Sequence, residues 1–464
     1  MTSLTCLRAA FVAALFAAAL PATAQERALA ACVREELGAA DCGVIAVQSR
    51  RLSSRPILLD VIVLRATGAE RAPDPLFVLQ GGPGQAATSQ ADFYARTFAA
   101  VRARRDIWLV DVRGTGRSDS LHCSVGTQAA PDFLPIEAVR ACRTELERRG
   151  VNLSSYTTRQ IVADLEDVRR RFRLRVVNLY GTSYGTRVAL EYMRLYPRSV
   201  RTAALSGVVP AQSDAPTDYG RFAQQAFERY AALCGADRAC AASRPDPAGD
   251  LARAQARVAA AFASGESSLS PGLFGELVRM ELYGPARVGA LFAALRQAAQ
   301  GDLGFWQARA QRLAGFWSPE LLSLGQFLSV TCADFMPAVD IVRARQSGLG
   351  TFAGSYRAEQ QAAACAVWGV PPAARDFRRP VRSRVPALLV SGELDPVTPP
   401  AWAALAARTL PNGRAVVIRN NGHAMGAAAP CVAAMMTELI ETRSARGVDT
   451  SCADDLPPPD FSAG

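Results

Sequence analysis

Lysine is absent from the 464 residues, and histidine occurs only twice, as His122 and His423. With so little imidazole, and with cysteine spacings that match no zinc pattern, neither a metal centre nor a cofactor is expected. The glycine run Gly114-Thr115-Gly116 lacks the G-x-G-x-x-G spacing of a dinucleotide site and the G-K-[ST] of a phosphate loop, which removes nucleotide binding. All 52 cations are therefore arginines, against 42 acids, for a formal net charge of +10. They are dispersed. Arg169-Arg170-Arg171 falls on an amphipathic helix, and no basic stripe interleaved with aromatics occurs, so the charge reads as a solvated surface with no nucleic-acid partner. After the first 24 residues no charge-free apolar run is long enough to span a bilayer, so no stable membrane insertion is expected.

What is present begins with an export signal. Met1 to Ala24 carries Arg8, an apolar stretch from Ala9 to Leu20, and the small-x-small ending Ala22-Thr23-Ala24, the pattern of a signal peptide removed after Ala24. Removing it takes away Cys6 and leaves ten of the 11 cysteines, an even number suited to an oxidising compartment, periplasmic or extracellular. Along the sequence they fall as neighbours: Cys32 with Cys42, Cys123 with Cys142, Cys234 with Cys240, Cys332 with Cys365, and Cys431 with Cys452. Other connectivities remain open at this level.

Apolar segments alternating with helical stretches indicate an α/β core. Gly43–Ser49 and Pro56–Leu64 read as an opening meander. Leu76–Leu79, Ile107–Val110, Val176–Leu179, Thr202–Leu205, Ala387–Val390 and Ala415–Ile418 read as a mostly parallel sheet. From Gln212 to about Arg379 the pattern turns helical, and the aromatics Phe305, Trp306, Phe316 and Trp317 read as packing within that segment. The expected organisation is a first core part over 25–211, a helical cap over 212–379, a second core part over 380–455, and a loose tail over 456–464.

The chemistry concentrates at strand ends. Gly181-Thr182-Ser183-Tyr184-Gly185 is a G-x-S-x-G between a strand and a helix, the context of a nucleophile elbow. Small residues flank the serine because the turn is tight and brings strand and helix backbones together. A base and an orienting acid should follow in the order acid, then histidine. His122 precedes the serine and fails that test. His423, on a glycine-flanked loop after Ala415–Ile418, passes it. Asp395, in the acidic turn after Ala387–Val390, is the expected acid, with Glu393 its competitor. Gly81-Gly82-Pro83-Gly84, at the end of Leu76–Leu79, lets backbone amides approach a substrate, so Gly82 and Tyr184 are the expected oxyanion donors.

These motifs together, with Asp111-Val112-Arg113-Gly114-Thr115-Gly116-Arg117-Ser118 and Gly392-Glu393-Leu394-Asp395-Pro396-Val397-Thr398-Pro399, resemble the α/β-hydrolase peptidases of the prolyl aminopeptidase group. Cys332-Ala333-Asp334, Cys365, Trp368 and the ending around His423 and Cys431 bring the sequence nearest to the secreted bacterial tripeptidyl aminopeptidases. Gln80 departs from the histidine usual before Gly-Gly-Pro-Gly, which weakens strict proline specificity. The resemblance implies an α/β-hydrolase fold and release of single residues or short peptides from free peptide amino ends. An ammonium entering such a site needs a carboxylate. Asp334 is the expected amine holder, with Glu276, Glu281 and Glu393 in reserve. The residues alone support acyl hydrolysis, so an esterase with the same triad remains an alternative, and a non-catalytic binding module a more distant one.

Overall fold

The computed structural model describes residues 26–32, 37–48, 56–123, 132–318 and 321–462. The signal-peptide expectation lies outside these residues. Among them, nine strands form one sheet, in the order β1 (Arg27–Cys32), β2 (Ala40–Val47), β3 (Ile57–Leu64), β5 (Ile107–Val110), β4 (Leu76–Leu79), β6 (Val177–Thr182), β7 (Val200–Ser206), β8 (Ala387–Gly392), β9 (Gly413–Ile418). The first three strands and the β3·β5 pairing are antiparallel, and β5 through β9 run parallel.

Composition explains these positions. Ile57–Leu64, Leu76–Leu79 and Ile107–Val110 are buried at every residue, as a strand covered on both faces requires. The edge strands differ: β9 alternates buried and exposed residues in its second half, and β1 is largely exposed. Arg27–Cys32 reads Arg-Ala-Leu-Ala-Ala-Cys, a composition with no β-branched residue, so propensity gives no sign of a strand there. Pairing to β2 and the Cys32–Cys42 bridge hold it in the sheet.

Two helical layers cover the sheet. On one face, the helices Thr158–Arg171, Tyr184–Leu195 and Pro400–Ala407 bury Ile161, Leu165, Val188 and Ala403 against Phe77, Val177 and Leu389. On the other, Ala91–Thr97 and Ala429–Thr442 bury Tyr94, Met435 and Leu439 against Leu76, Leu109 and Leu388. Between β7 and β8 every element is helical, from Ala215–Asp218 to Arg375–Arg378.

That helical insertion has its own core, built on Phe227, Phe274, Leu291, Trp306 and Trp368. Two segments from outside it join that core. Residues 121–123 and 132–156, including the helix Ile136–Arg148, contribute Leu121, Phe133, Val139 and Leu146. The expected loose tail also departs from its reading: Phe461 is buried and stacks on Phe292 at 6.1 Å, and Arg244 donates to its carbonyl oxygen at 3.0 Å. A buried aromatic side chain thus seats, on the helical insertion, a stretch that its prolines and polar residues mark as free. The Arg169-Arg170 pair lies on the helix as expected, and both side chains pair with Glu166 at 2.7 and 2.8 Å.

All ten described cysteines form bridges, between the neighbours expected from their order, with Cα–Cα separations of 5.2 to 5.7 Å. Five bridges point to an oxidising, extracytoplasmic setting. Among the described residues no helix is long and apolar enough to cross a membrane.

Candidate active site

The end of β6 turns into the helix Tyr184–Leu195 at Ser183, whose φ of 53° places an L-residue in the sparsely populated positive region. Its neighbours explain why the turn is sustained. A Cβ on Gly185 would stand 1.9 Å from the Leu79 carbonyl oxygen, and one on Gly181 would stand 2.7 Å from that of Gly185. Strand, turn and helix therefore close only with glycine at both places. Ser183 sits at the N-cap, and Tyr184 is the first helical residue, where backbone N–H groups have no intrahelical acceptor.

His423 reaches this serine from the loop after β9, with Nε2 3.1 Å from Ser183 Oγ. Its Nδ1 lies 2.8 Å from Asp395 Oδ2, in the turn after β8. The Asp395 carboxylate is 4 % exposed and fully engaged. Its Oδ1 accepts from the Val397 and Thr398 amides, each at 2.8 Å, and its Oδ2 also accepts from Thr398 Oγ1 at 2.7 Å. With both oxygens accepting from these donors, the carboxylate faces His423 as an acceptor, so the Nδ1 proton points to it and Nε2 is left to accept from Ser183. Glu393, the competing carboxylate, instead accepts from the Asn420 amide at 3.1 Å. His122 lies outside the cavity that holds Ser183.

Several contributors carry no sequence signature. Thr398 bridges both partners, its Oγ1 standing 3.1 Å from His423 Nδ1 as well as bonding Asp395. Tyr283, from the helical insertion, packs its ring edge-on to the His423 imidazole at 5.0 Å and accepts from the Ala424 amide at 2.8 Å. The cap thus seats the histidine loop. A Cβ on Gly207, which has φ +67°, would stand 3.3 Å from the imidazole Cε1.

The Gly81-Gly82-Pro83-Gly84 turn lies beside the serine: a Cβ on Gly81 would stand 3.2 Å from Ser183 Cβ. Gly82 and Tyr184 both line the cavity. Asp111, in the second glycine motif, anchors the continuation of this loop by accepting from the Thr88 amide and hydroxyl, both at 2.8 Å. Burial pushes its carboxyl up to about 7 in spite of those bonds. Arg113 of that motif is a buried structural cation, with Nε donating to Asp164 at 2.6 Å and Nη1 to the Ser155 carbonyl at 2.7 Å.

Asp334 is not where an amine holder must be. It is 3 % exposed, lies outside the cavity lining, and accepts from the Thr158 amide at 3.0 Å and the Thr158 hydroxyl at 2.5 Å. Thr158 Oγ1 in turn meets the Tyr184 hydroxyl at 2.8 Å. The Cys332–Cys365 bridge does hold this segment, but the π-helical turn Thr331–Phe335 directs the carboxylate behind Tyr184 instead of toward the substrate. Burial pushes it up to about 6. Of the reserves, Glu281 pairs with Arg309, and Glu276 is buried between Arg279 and Arg357.

The cavity above Ser183 measures about 540 Å³. Phe93, Val209, Phe327, Phe335 and Met425 give it apolar walls, and Phe316, expected as cap packing, lines it too.

An alpha/beta hydrolase fold family model matches residues 74–426. The chain belongs to that family. A curated relative, the serine protease Hip1 of Mycobacterium tuberculosis, is 24% identical over 417 residues, covering 78% of this chain and 77% of its own. The putative hydrolase YuaR of Escherichia coli is 24% identical over 178 residues, 36% of this chain and 35% of its own. Among solved structures, a proline iminopeptidase from Mycobacterium smegmatis aligns with a TM-score of 0.44 at 16% identity, over 86% of this chain and 98% of its own. The chain is an alpha/beta hydrolase with a serine-protease relative, and a hydrolase by that kinship.

Proposed function

We propose that the protein is an exported serine hydrolase working through an acyl-enzyme, and foremost a peptidase that releases single residues or short peptides from amino ends. The observation that carries the hydrolase reading is the unbroken run Ser183 Oγ, His423 Nε2, His423 Nδ1, Asp395 Oδ2, with links of 3.1 and 2.8 Å. In this mechanism Ser183 attacks the acyl carbonyl as His423 takes its proton, and the proton then passes to the leaving group. Asp395 keeps the imidazole in the required tautomer and stabilises the imidazolium. Thr398 fixes that carboxylate. The Gly82 and Tyr184 amides receive the developing oxyanion, aided by the N-terminal dipole of the helix Tyr184–Leu195.

Three things support the peptidase: the motif resemblance, the serine-protease relative, and a cavity roofed by the helical insertion, which suits the end of a chain better than its middle. Export is supported by the signal-like first 24 residues and the five bridges. A second reading, hydrolysis of small acyl esters, is favoured by one observation: no carboxylate lines the cavity to receive an ammonium. Tripeptidyl and aminoacyl amides with free and acetylated amino ends, assayed beside short-chain esters, separate the two. The account expects cleavage of free peptides and slower turnover of acetylated ones. Efficient cleavage of acetylated peptides removes the amino-end reading, and ester turnover with inert amides establishes the esterase.

A further inference from the structure

The charged groups around the cavity are unevenly matched. Its lining contains Arg279, Arg287 and Arg357 and no aspartate or glutamate. The acid that Arg279 and Arg357 share, Glu276, is 1 % exposed and lies behind the lining. Arg279 holds it at both oxygens, Nε at 3.0 Å and Nη2 at 2.5 Å, and Arg357 Nη1 donates to Oε1 as well. Burial alone would raise the Glu276 carboxyl; the two guanidiniums outweigh that and hold it below its usual range, so it is an anion already spoken for. Two cations against one anion leave this corner of the cavity with a net positive charge. Arg287, exposed at the mouth, adds another with no ion pair among the described residues.

Arg357 is also incompletely bonded. Its guanidinium lies 3.7 Å over the Phe133 ring, only Nη1 has a hydrogen-bond partner among the described residues, and Nε is buried with none. Nη2 has no partner among the described residues either and, unlike Nε, is not shut away, so a ligand can complete it. Beside it Gln361, 5 % exposed and lining the same cavity, has an Oε1 that accepts nothing. The other end of that amide carries two N–H donors. Arg279, by contrast, has a partner at each guanidinium nitrogen, since its remaining Nη1 donates to the Tyr283 hydroxyl at 3.2 Å.

We propose that the substrate carries a carboxylate, which binds at Arg357 and Gln361 under the positive field of the Arg279/Arg357/Glu276 cluster. The inference rests on the acyl-hydrolase reading of this cavity and names its substrate class. An ammonium would meet two cations here and no free acid. A substrate carboxylate accepts from Arg357 Nη2 in an apolar site, where a charge-assisted bond is strong. That carboxylate can come from an acidic side chain or from the free carboxyl end of a short peptide.

Two 4-nitrophenyl esters of equal chain length, butyrate and monosuccinate, test this on the wild-type protein, with fluorophosphonate labelling run in parallel. One charge-assisted contact of about 1.4 kcal/mol is tenfold, so kcat/KM for the succinate should exceed that for the butyrate by ten or more, and 0.5 M NaCl should erode the advantage. In Arg357→Gln the preference should vanish, while Arg357→Lys should keep part of it. Peptide pairs then name the source: glutamate against glutamine, and a free against an amidated carboxyl end. A protein that labels with the fluorophosphonate but shows no carboxylate preference in any pair overturns this inference and leaves the hydrolase reading standing. Absence of labelling overturns both.

Discussion

The catalytic assignment depends on a handful of side chains, and their contacts allow the consequences of losing each to be ordered. Ser183→Ala and His423→Ala should each lower turnover by several powers of ten in a folded protein, and the double variant should lose little more than either, because the two act as a unit. Kinetics on purified, circular-dichroism-checked variants decide this, and an active His423→Ala would be incompatible with the assignment. Thr398→Val removes a donor to a buried carboxylate, which typically costs about 1.5 to 3 kcal/mol of stability. It should also slow the enzyme, with kcat falling and KM little changed, since Thr398 bonds Asp395 and stands against His423, the two groups that activate Ser183. Ser183, Asp395 and His423 were legible because each lies in a strand-end turn of recognisable composition and in a fixed chain order. Thr398 was not, since a threonine after Asp-Pro-Val has many unremarkable uses. Asp334 was misplaced for the opposite reason: its sequence context fixed a rigid segment, but which way a carboxylate faces on a π-helical turn depends on tertiary packing.

At the scale of elements, the oxyanion side of the site is held from behind by buried carboxylates that serve the fold. Asp111 ties the loop after Gly84 to the end of β5, and Asp334 ties Thr158, and through it Tyr184, to the cap. Burial raises both carboxyls, to about 7 and about 6. A folded-state pKa above the unfolded value means the native state binds the proton more tightly, so this stabilisation is fully present below about pH 3.8 and is lost as pH rises toward 6 to 7. Asp111→Asn and Asp334→Asn should therefore raise Tm relative to wild type at pH 8, by roughly 2 °C or more, and gain nothing at pH 4. Scanning calorimetry at the two pH values checks this; equal effects at both would mean that ionisation is irrelevant. The elements themselves were readable where apolar runs are long, as in Ile57–Leu64. They were unreadable for Arg27–Cys32, which becomes a strand through pairing and a bridge.

For the whole molecule, the division into sheet and cap was legible as a change from strand-helix alternation to continuous helix. What adds to the cap was not, because residues such as Leu121, Phe133, Leu146 and Phe461 reach it from elsewhere in the chain. The bridges close short loops, of sequence separation 6 to 33. Peptide mapping under non-reducing conditions should find the five neighbouring pairs and no free thiol, and reduction should lower Tm, as loss of a native bridge typically costs about 2 to 5 kcal/mol in small secreted domains. Several free thiols in the denatured protein would contradict the structure.

The central claim, that Ser183 is a nucleophile activated by His423, is most directly tested by fluorophosphonate modification followed by intact-mass and peptide analysis. One adduct per chain is expected, located on the peptide containing Ser183, absent in Ser183→Ala and formed at least about a hundredfold more slowly in His423→Ala. An unmodified wild-type protein, or an adduct that persists on another residue in Ser183→Ala, would contradict it.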